Sequence, residues 1–280
     1  MNIRERVGVH RLMPAREYRA LPAVSASLLR VLWSSTPAHC KLAMDTKTDA
    51  TSAMRVGTLA HAMILEPFAE IPFRVCPETY TNSKCEEKPW NWNATECKAW
   101  RADKVAAGCE ICTAGELYRA EAIRDAVVGH PIAGPIVQDA ATEVSLVTWD
   151  ATNEIAVRCR LDLVPTGADF LADIKTTVTL DGWGERKAYA DGLHIQAALY
   201  IDVWNALTGQ TRTGFKFVAC EADAPNDVRV YSCHQEFIEA GRADYVSALK
   251  TFAECQRSGV WPGSPAKEFG VHVPKRRIEP

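Results

Sequence analysis

Between residues 143 and 176 polar and apolar positions alternate with period two, the mark of half-buried strands. EVSLVTW (143–149) and IAVRCRLDLV (155–164) read as strands joined by a DATN turn. In the second strand Ile155, Val157, Cys159, Leu161 and Leu163 should share one face, with Arg158, Arg160 and Asp162 on the other. After a PTGAD turn, FLADIKT (170–176) sets Leu171, Asp173 and Lys175 on a common face.

Elsewhere the period is helical. Residues 25–33 form a short helix with Ser25 or Ser27 as its N-cap, and Thr36-Pro37 opens another. Residues 54–66 run as a helix to Pro67, which stops it. TAGE (113–116) is a capping box for a helix over 113–128. Helices over 183–190 and 193–207 precede strands over 213–220 and 228–234 and a helix over 235–258. The polar, tryptophan-bearing stretch 77–112 reads as a long loop with one exposed helix. This order predicts an α/β or α+β fold, the first preferred, with a central mixed sheet flanked by helices. It also predicts one domain over 1–280: a helical segment 1–53, a core 54–264 and a tail 265–280.

Composition adds limits rather than chemistry. With 280 residues, 47% hydrophobic and 24% charged, the chain is ordinary globular material, able to bury a sizeable core. No apolar run approaches the roughly 18 residues that span a bilayer, and the opening MNIRERVGVHRLM does not read as a signal peptide. Ten scattered cysteines then read as reduced thiols in a cytosol. A net charge of −3 argues against indiscriminate coating of nucleic acid. The cluster Lys275, Arg276 and Arg277 reads as a solvated tail.

The chemistry centres on LDLVPTGADFLADIKTT, residues 161–177. If its two strands pair antiparallel, Asp162 lies beside Asp173 and Lys175 at one end of the sheet. Two carboxylates buried together need positive charge nearby. A divalent cation answers that need; so does a structural salt bridge from Lys175 or Arg160, and spacing alone does not choose between them. His61 sits in an apolar helix, where a core role is the plain reading, and Gln196 and Tyr200 project from one helix face at i and i+4.

In order along the chain, GTLAHAMILEP, TEVSLVTW, CRLDLVP, LADIKTT and HIQAALY resemble the RecE-type exonucleases (exodeoxyribonuclease VIII-like). These belong to the PD-(D/E)XK nuclease superfamily, with the nuclease domains of RecB and phage lambda exonuclease. PAVSASLLRVLWSSTPAHCKL, TAGELYRAEAIRDAVVGHP and VWPGS extend the likeness over residues 14–264. The resemblance implies a PD-(D/E)XK core in which His61, Asp162 and Asp173 are metal ligands, completed by the Ile174 carbonyl. It implies that Glu143 contacts a second metal directly or through water, and that Lys175 positions and polarises the attacking water. Gln196 and Tyr200 brace the site or touch the scissile phosphate. The implied cofactor is Mg²⁺, as one or two ions. Mn²⁺ is expected to substitute, because a histidine ligand is softer than oxygen. Two departures are visible: Asp-Ile-Lys stands where Glu-x-Lys is common, and Leu161 rather than Pro precedes Asp162.

The implied activity is digestion of double-stranded DNA from an end, 5′→3′, leaving a 3′ single strand for recombination by annealing. The implied partners are DNA ends, copies of the chain in a tetrameric or trimeric ring, and a RecT-like annealing protein of a phage or prophage in a bacterial cytoplasm. No membrane is involved. Arg30, Arg55, Arg158 and Arg160 are candidates for phosphate contacts in the ring's channel. Two rivals stand beside this reading: a structure-specific or restriction-type endonuclease of the same superfamily, and a DNA-end-binding scaffold that has lost catalysis.

The cysteines lack the tight groups that hold an Fe–S cluster, and CEIC (109–112) lacks the second close pair of a zinc site. Trp90, Trp92 and Trp100 either tack their loop to the body or stack on unpaired bases.

Overall fold

The computed structural model describes residues 2–46, 50–67 and 73–268, so the basic cluster at 275–277 lies outside the described residues. The chain opens with a 3-10 turn, strand β1 (Gly8–His10), helix α1 (Ala15–Ala20) and the two-residue strand β2 (Val24–Ser25). The hydrophobic pattern foretold none of these. Helices α2 (Ala26–Ser34) and α3 (Pro37–Asp45) follow where expected, α3 with Pro37 in its first turn, where the missing N–H has no partner to lose. Helix α4 (Ser52–Leu65) begins slightly early because the Thr51 hydroxyl caps the Met54 N–H at 3.2 Å.

Residues 77–112 hold more order than a loop with one helix. The exposed helix α5 (Thr95–Ala106) is present, but short strands surround it. Strand β3 (Phe73–Val75) pairs in parallel with β6 (Glu110–Cys112), and β4 (Thr79–Thr81) pairs antiparallel with β5 (Glu87–Pro89). Strands of three residues are too short to show a period. Helix α6 (Ala114–Gly129) starts on the expected capping box, with Thr113 and Glu116 exchanging hydrogen bonds, and α7 (Ala133–Gln138) leads into the sheet.

The meander is β7 (Ala140–Asp150), β8 (Ile155–Pro165) and β9 (Phe170–Thr177). A π-turn over 183–187 and the short α8 (Ala188–Ala190) replace the single helix expected over 183–190. Then come α9 (Leu193–Thr208), β10 (Gly214–Glu221), β11 (Val228–Ser232) and α10 (Gln235–Ser258). The main sheet runs β1-β7-β8-β9-β10-β11, with β2 added to β8. It is mixed: β9 and β10 are parallel across the α9 crossover, whereas β7–β8, β8–β9 and β10–β11 are antiparallel. Helices α2, α9 and α10 cover one face, where Leu29, Trp204 and Phe252 join Val157, Cys159 and Phe215. Helices α4, α6 and α7 cover the other, where Leu59, Ile123 and Val137 join Ile174 and Val218. This is the expected α/β sandwich around a mixed sheet.

One expectation fails where it matters most. Leu161 packs in the α9-side core and Leu163 in the α4-side core, although a regular strand would keep both on one face. The break falls at Asp162. On the β7 side Thr142 pairs with Leu163 and Val144 with Leu161, while Glu143, between them, drops out of the ladder with φ at +54°. That left-handed backbone is uncommon for a residue other than glycine, asparagine or aspartate.

Candidate active site

Two helices and three strands converge on the broken point of the ladder. Asp162 does not complete the β8–β9 pairing with its backbone; its side-chain Oδ2 accepts the Ile174 N–H at 2.9 Å instead. Helix α4 comes close because Gly57 faces β9: a Cβ there would sit 3.0 Å from the Thr176 hydroxyl oxygen. One turn further on, the His61 Nδ1 is 3.6 Å from the Asp162 Oδ2. From α9, Gln196 donates its side-chain N–H to the Asp173 Oδ1, and Lys175 pairs with the other oxygen, Oδ2. Arg160 pairs with Glu143 and also donates to the Ser145 hydroxyl at 3.0 Å and the Met13 carbonyl at 2.9 Å.

The electrostatics are lopsided. Burial pushes the Asp162 carboxyl well above the usual carboxylate range, and the charges of Asp173 and Glu143 push it further; Lys175 and the Ile174 N–H only partly offset them. Burial lowers the His61 imidazole, so at neutral pH it presents a lone pair rather than a charge. Burial raises the Tyr200 hydroxyl well above its ordinary value, so it stays protonated. Tyr200 packs edge-on near Phe215 and makes no hydrogen bond among the described residues. Three carboxylates, Glu143, Asp162 and Asp173, therefore face two cations, Lys175 and Arg160.

A cavity of about 630 Å³ opens beside this cluster, reached by His61, Glu143, Arg160 and Thr176. Tyr18 and Arg19 of α1 form part of its wall. A second cavity, of about 840 Å³, shares Glu143, Arg160 and Glu66 with the first.

The structure thus brings His61, Glu143, Asp162, Asp173, Ile174, Lys175 and Gln196 together. Of the arginines marked for DNA, Arg160 reaches the cavity but is tied to Glu143. Arg30 donates to the Asp191 carbonyl at 2.6 Å and feels the charge of Asp173. Arg55 is bound to Glu116, and Arg158 to the carbonyls of Tyr18, Arg19 and Leu21. Tyr18 and Arg19 are not marked in the sequence, because a six-residue helix in a charged stretch leaves no periodic signal.

A metal fits this donor set by its chemistry. Carboxylates and a carbonyl are hard oxygen donors, and a cluster short of positive charge is where a divalent cation relieves repulsion. Among the described residues no three His, Cys, Asp or Glu side chains already stand in ligating geometry, and Asp173 is engaged by Lys175 and Gln196.

Residues 25–268 match the model of a family described as a PDDEXK-like domain of unknown function (DUF3799). The chain belongs to this family. It is thereby a member of the PD-(D/E)XK nuclease superfamily. The crystal structure of a candidate exonuclease from Eubacterium rectale superposes with a TM-score of 0.62. It is 12% identical over 89% of this chain and 88% of that one, a likeness of fold. A second solved structure, SSO0001, reaches a TM-score of only 0.34 at 12% identity, over 81% of this chain and 76% of that one, and carries no argument. No curated protein matches the sequence. No helix among the described residues is long and apolar enough to cross a membrane.

Proposed function

We propose that this PDDEXK-like protein is a divalent-metal-dependent exonuclease. It digests double-stranded DNA from an end, 5′→3′, and leaves a 3′ single strand for annealing. The observation that carries the reading is the convergence of Asp162, Asp173, Lys175, His61 and the Ile174 backbone where the β7–β8 ladder breaks, beside an open cavity. The fold likeness to a protein described as an exonuclease supports action at ends. Polarity, the ring of three or four copies, the RecT-like partner and the phage or prophage setting rest on the motif resemblance.

In this reading His61, Asp162, Asp173 and the Ile174 carbonyl hold Mg²⁺, or Mn²⁺ in its place, which when bound lends Lewis acidity to the phosphate and the attacking water. Lys175 orients that water and offsets the negative charge that grows on the phosphate. Gln196 fixes the orientation of the Asp173 carboxylate through its hydrogen bond. Arg160 holds Glu143 against the cavity wall. The neutral His61 imidazole keeps its lone pair for the metal.

The test is digestion of a linear duplex labelled separately at its 5′ and 3′ ends, beside a covalently closed circle, in Mg²⁺ and in EDTA. Early release of the 5′ label with the circle intact is the expected result. Nicking of the circle would make the protein an endonuclease instead. DNA-end binding with no Mg²⁺-dependent product would leave a scaffold.

A further inference from the structure

We propose that the N-terminal arm, residues 8–21, is a strand-binding element in which Arg19 and Arg11 hold backbone phosphates on either side of the scissile one. The inference rests on the nuclease reading and names the residues that seat its substrate.

The arm is held rigidly. β1 pairs with β7, and Met13 and Leu21 pack on Val147 in a small core of their own. Arg158 reaches from β8 to the carbonyls of Tyr18, Arg19 and Leu21 at 2.6, 2.7 and 2.9 Å, and thereby caps the end of α1. Arg160 adds a bond to the Met13 carbonyl at 2.9 Å. The centre of the Tyr18 ring is 5.1 Å from the Arg158 guanidinium and 5.6 Å from that of Arg160.

Two strand arginines that could have met phosphate are thus spent on building the arm and the cavity wall. The arm carries replacements. Arg19 lines the cavity that His61 and Glu143 reach, and Arg11 lines the adjoining one. Both cavities include Glu143 and Arg160, so the two arginines line neighbouring spaces that meet at that pair. Neither guanidinium has an ion-pair or hydrogen-bond partner among the described residues, whereas Arg6, just ahead of the arm, is paired with Glu17 at 2.6 Å. A planar guanidinium with free donors matches the geometry of a phosphate. Mounted on an element that is already ordered, it loses less freedom when the strand arrives. Arg16 serves as an internal control, since it is on α1 but lines neither cavity.

The test uses the full chain in a Lys175→Ala background with Mg²⁺, so that a fluorescent linear duplex is bound without being consumed. Affinity is measured across a salt series for Arg19→Ala, Arg11→Ala and Arg16→Ala. Each of the first two should weaken binding about five- to tenfold and reduce the salt slope by about 1. Arg16→Ala should match the parent, Arg19→Lys should restore most of the slope, and thermal midpoints should not move. Parental affinity and slope in both Arg19→Ala and Arg11→Ala would overturn the proposal. If the parent binds no DNA and the wild type cuts none, the nuclease reading itself fails, a result that this series separates from failure of the arm alone.

Discussion

Helix α4 touches two buried charge clusters, one near its first turn and one near its last. They are built from the same residue types to opposite ends. At the first, Glu116 is almost wholly buried, yet its charge is answered on every side. Arg55 donates from Nε and from a terminal nitrogen at 2.6 Å, and the Thr113 N–H donates at 2.9 Å. Burial alone would raise its pKa; the hydrogen bonds from Arg55, Thr113 and Ser52 outweigh that and hold it below the ordinary range. At the second, three carboxylates share two cations and Asp162 is pushed the other way. A closed cluster braces α4 against α6. An open one is a place for a cation and for work.

The sharpest way to break this comparison is activity. Lys175→Ala should lower Mg²⁺-dependent DNA cleavage by about 10³-fold or more with the far-UV spectrum unchanged. Glu116→Gln should leave the rate per folded molecule intact. Its effect belongs to stability: a loss of about 1 to 2 kcal/mol in urea unfolding at pH 7, because Arg55 loses its carboxylate while the amide oxygen can still accept the Thr113 N–H of the capping box.

The same substitution tests the sign of the pH dependence. Since the Glu116 pKa is depressed in the fold, its contribution is present above the ordinary carboxylate value and is lost as pH falls through the folded one. Wild type and Glu116→Gln should therefore converge in stability below about pH 4.

Asp162→Asn should do the reverse. Its pKa is raised in the fold, so the ionised group destabilises metal-free protein at neutral pH. The variant should be more stable in EDTA by about 1 kcal/mol, with the gain vanishing as pH falls below about 4. Equal or lower stability of Asp162→Asn at pH 7 would sink the idea of an open cluster. The smallest effect is expected far from both clusters. Trp92→Ala, on the half-exposed edge of the tryptophan group, should change stability by no more than about 0.5 kcal/mol.

Much of this was legible in the chain. Alternation in 143–176 located β7 to β9, TAGE announced the Thr113–Glu116 capping box, and Asp162 and Asp173 lie together as antiparallel strands require. What stayed hidden has physical reasons. Strands β1, β3 and β6 have three residues each, and β2 only two, so they exist through their partners rather than their own pattern. The crossover of Leu163 to the opposite core and the left-handed Glu143 follow from tertiary packing around Asp162, which binary patterning treats as one polar position among others. The fate of the arginines was equally unreadable. Arg55 and Arg158 are spent on partners 61 and 137 to 140 residues away, whereas Arg11 and Arg19 have no side-chain partner among the described residues.

The most direct test of the central claim, that the open cluster is a divalent-cation site, is calorimetric titration of Mn²⁺ into metal-free protein. Wild type should show saturable binding that disappears in Asp162→Asn and persists in Glu116→Gln. Undiminished binding in Asp162→Asn, or none in a wild-type protein that still cuts DNA, would contradict it.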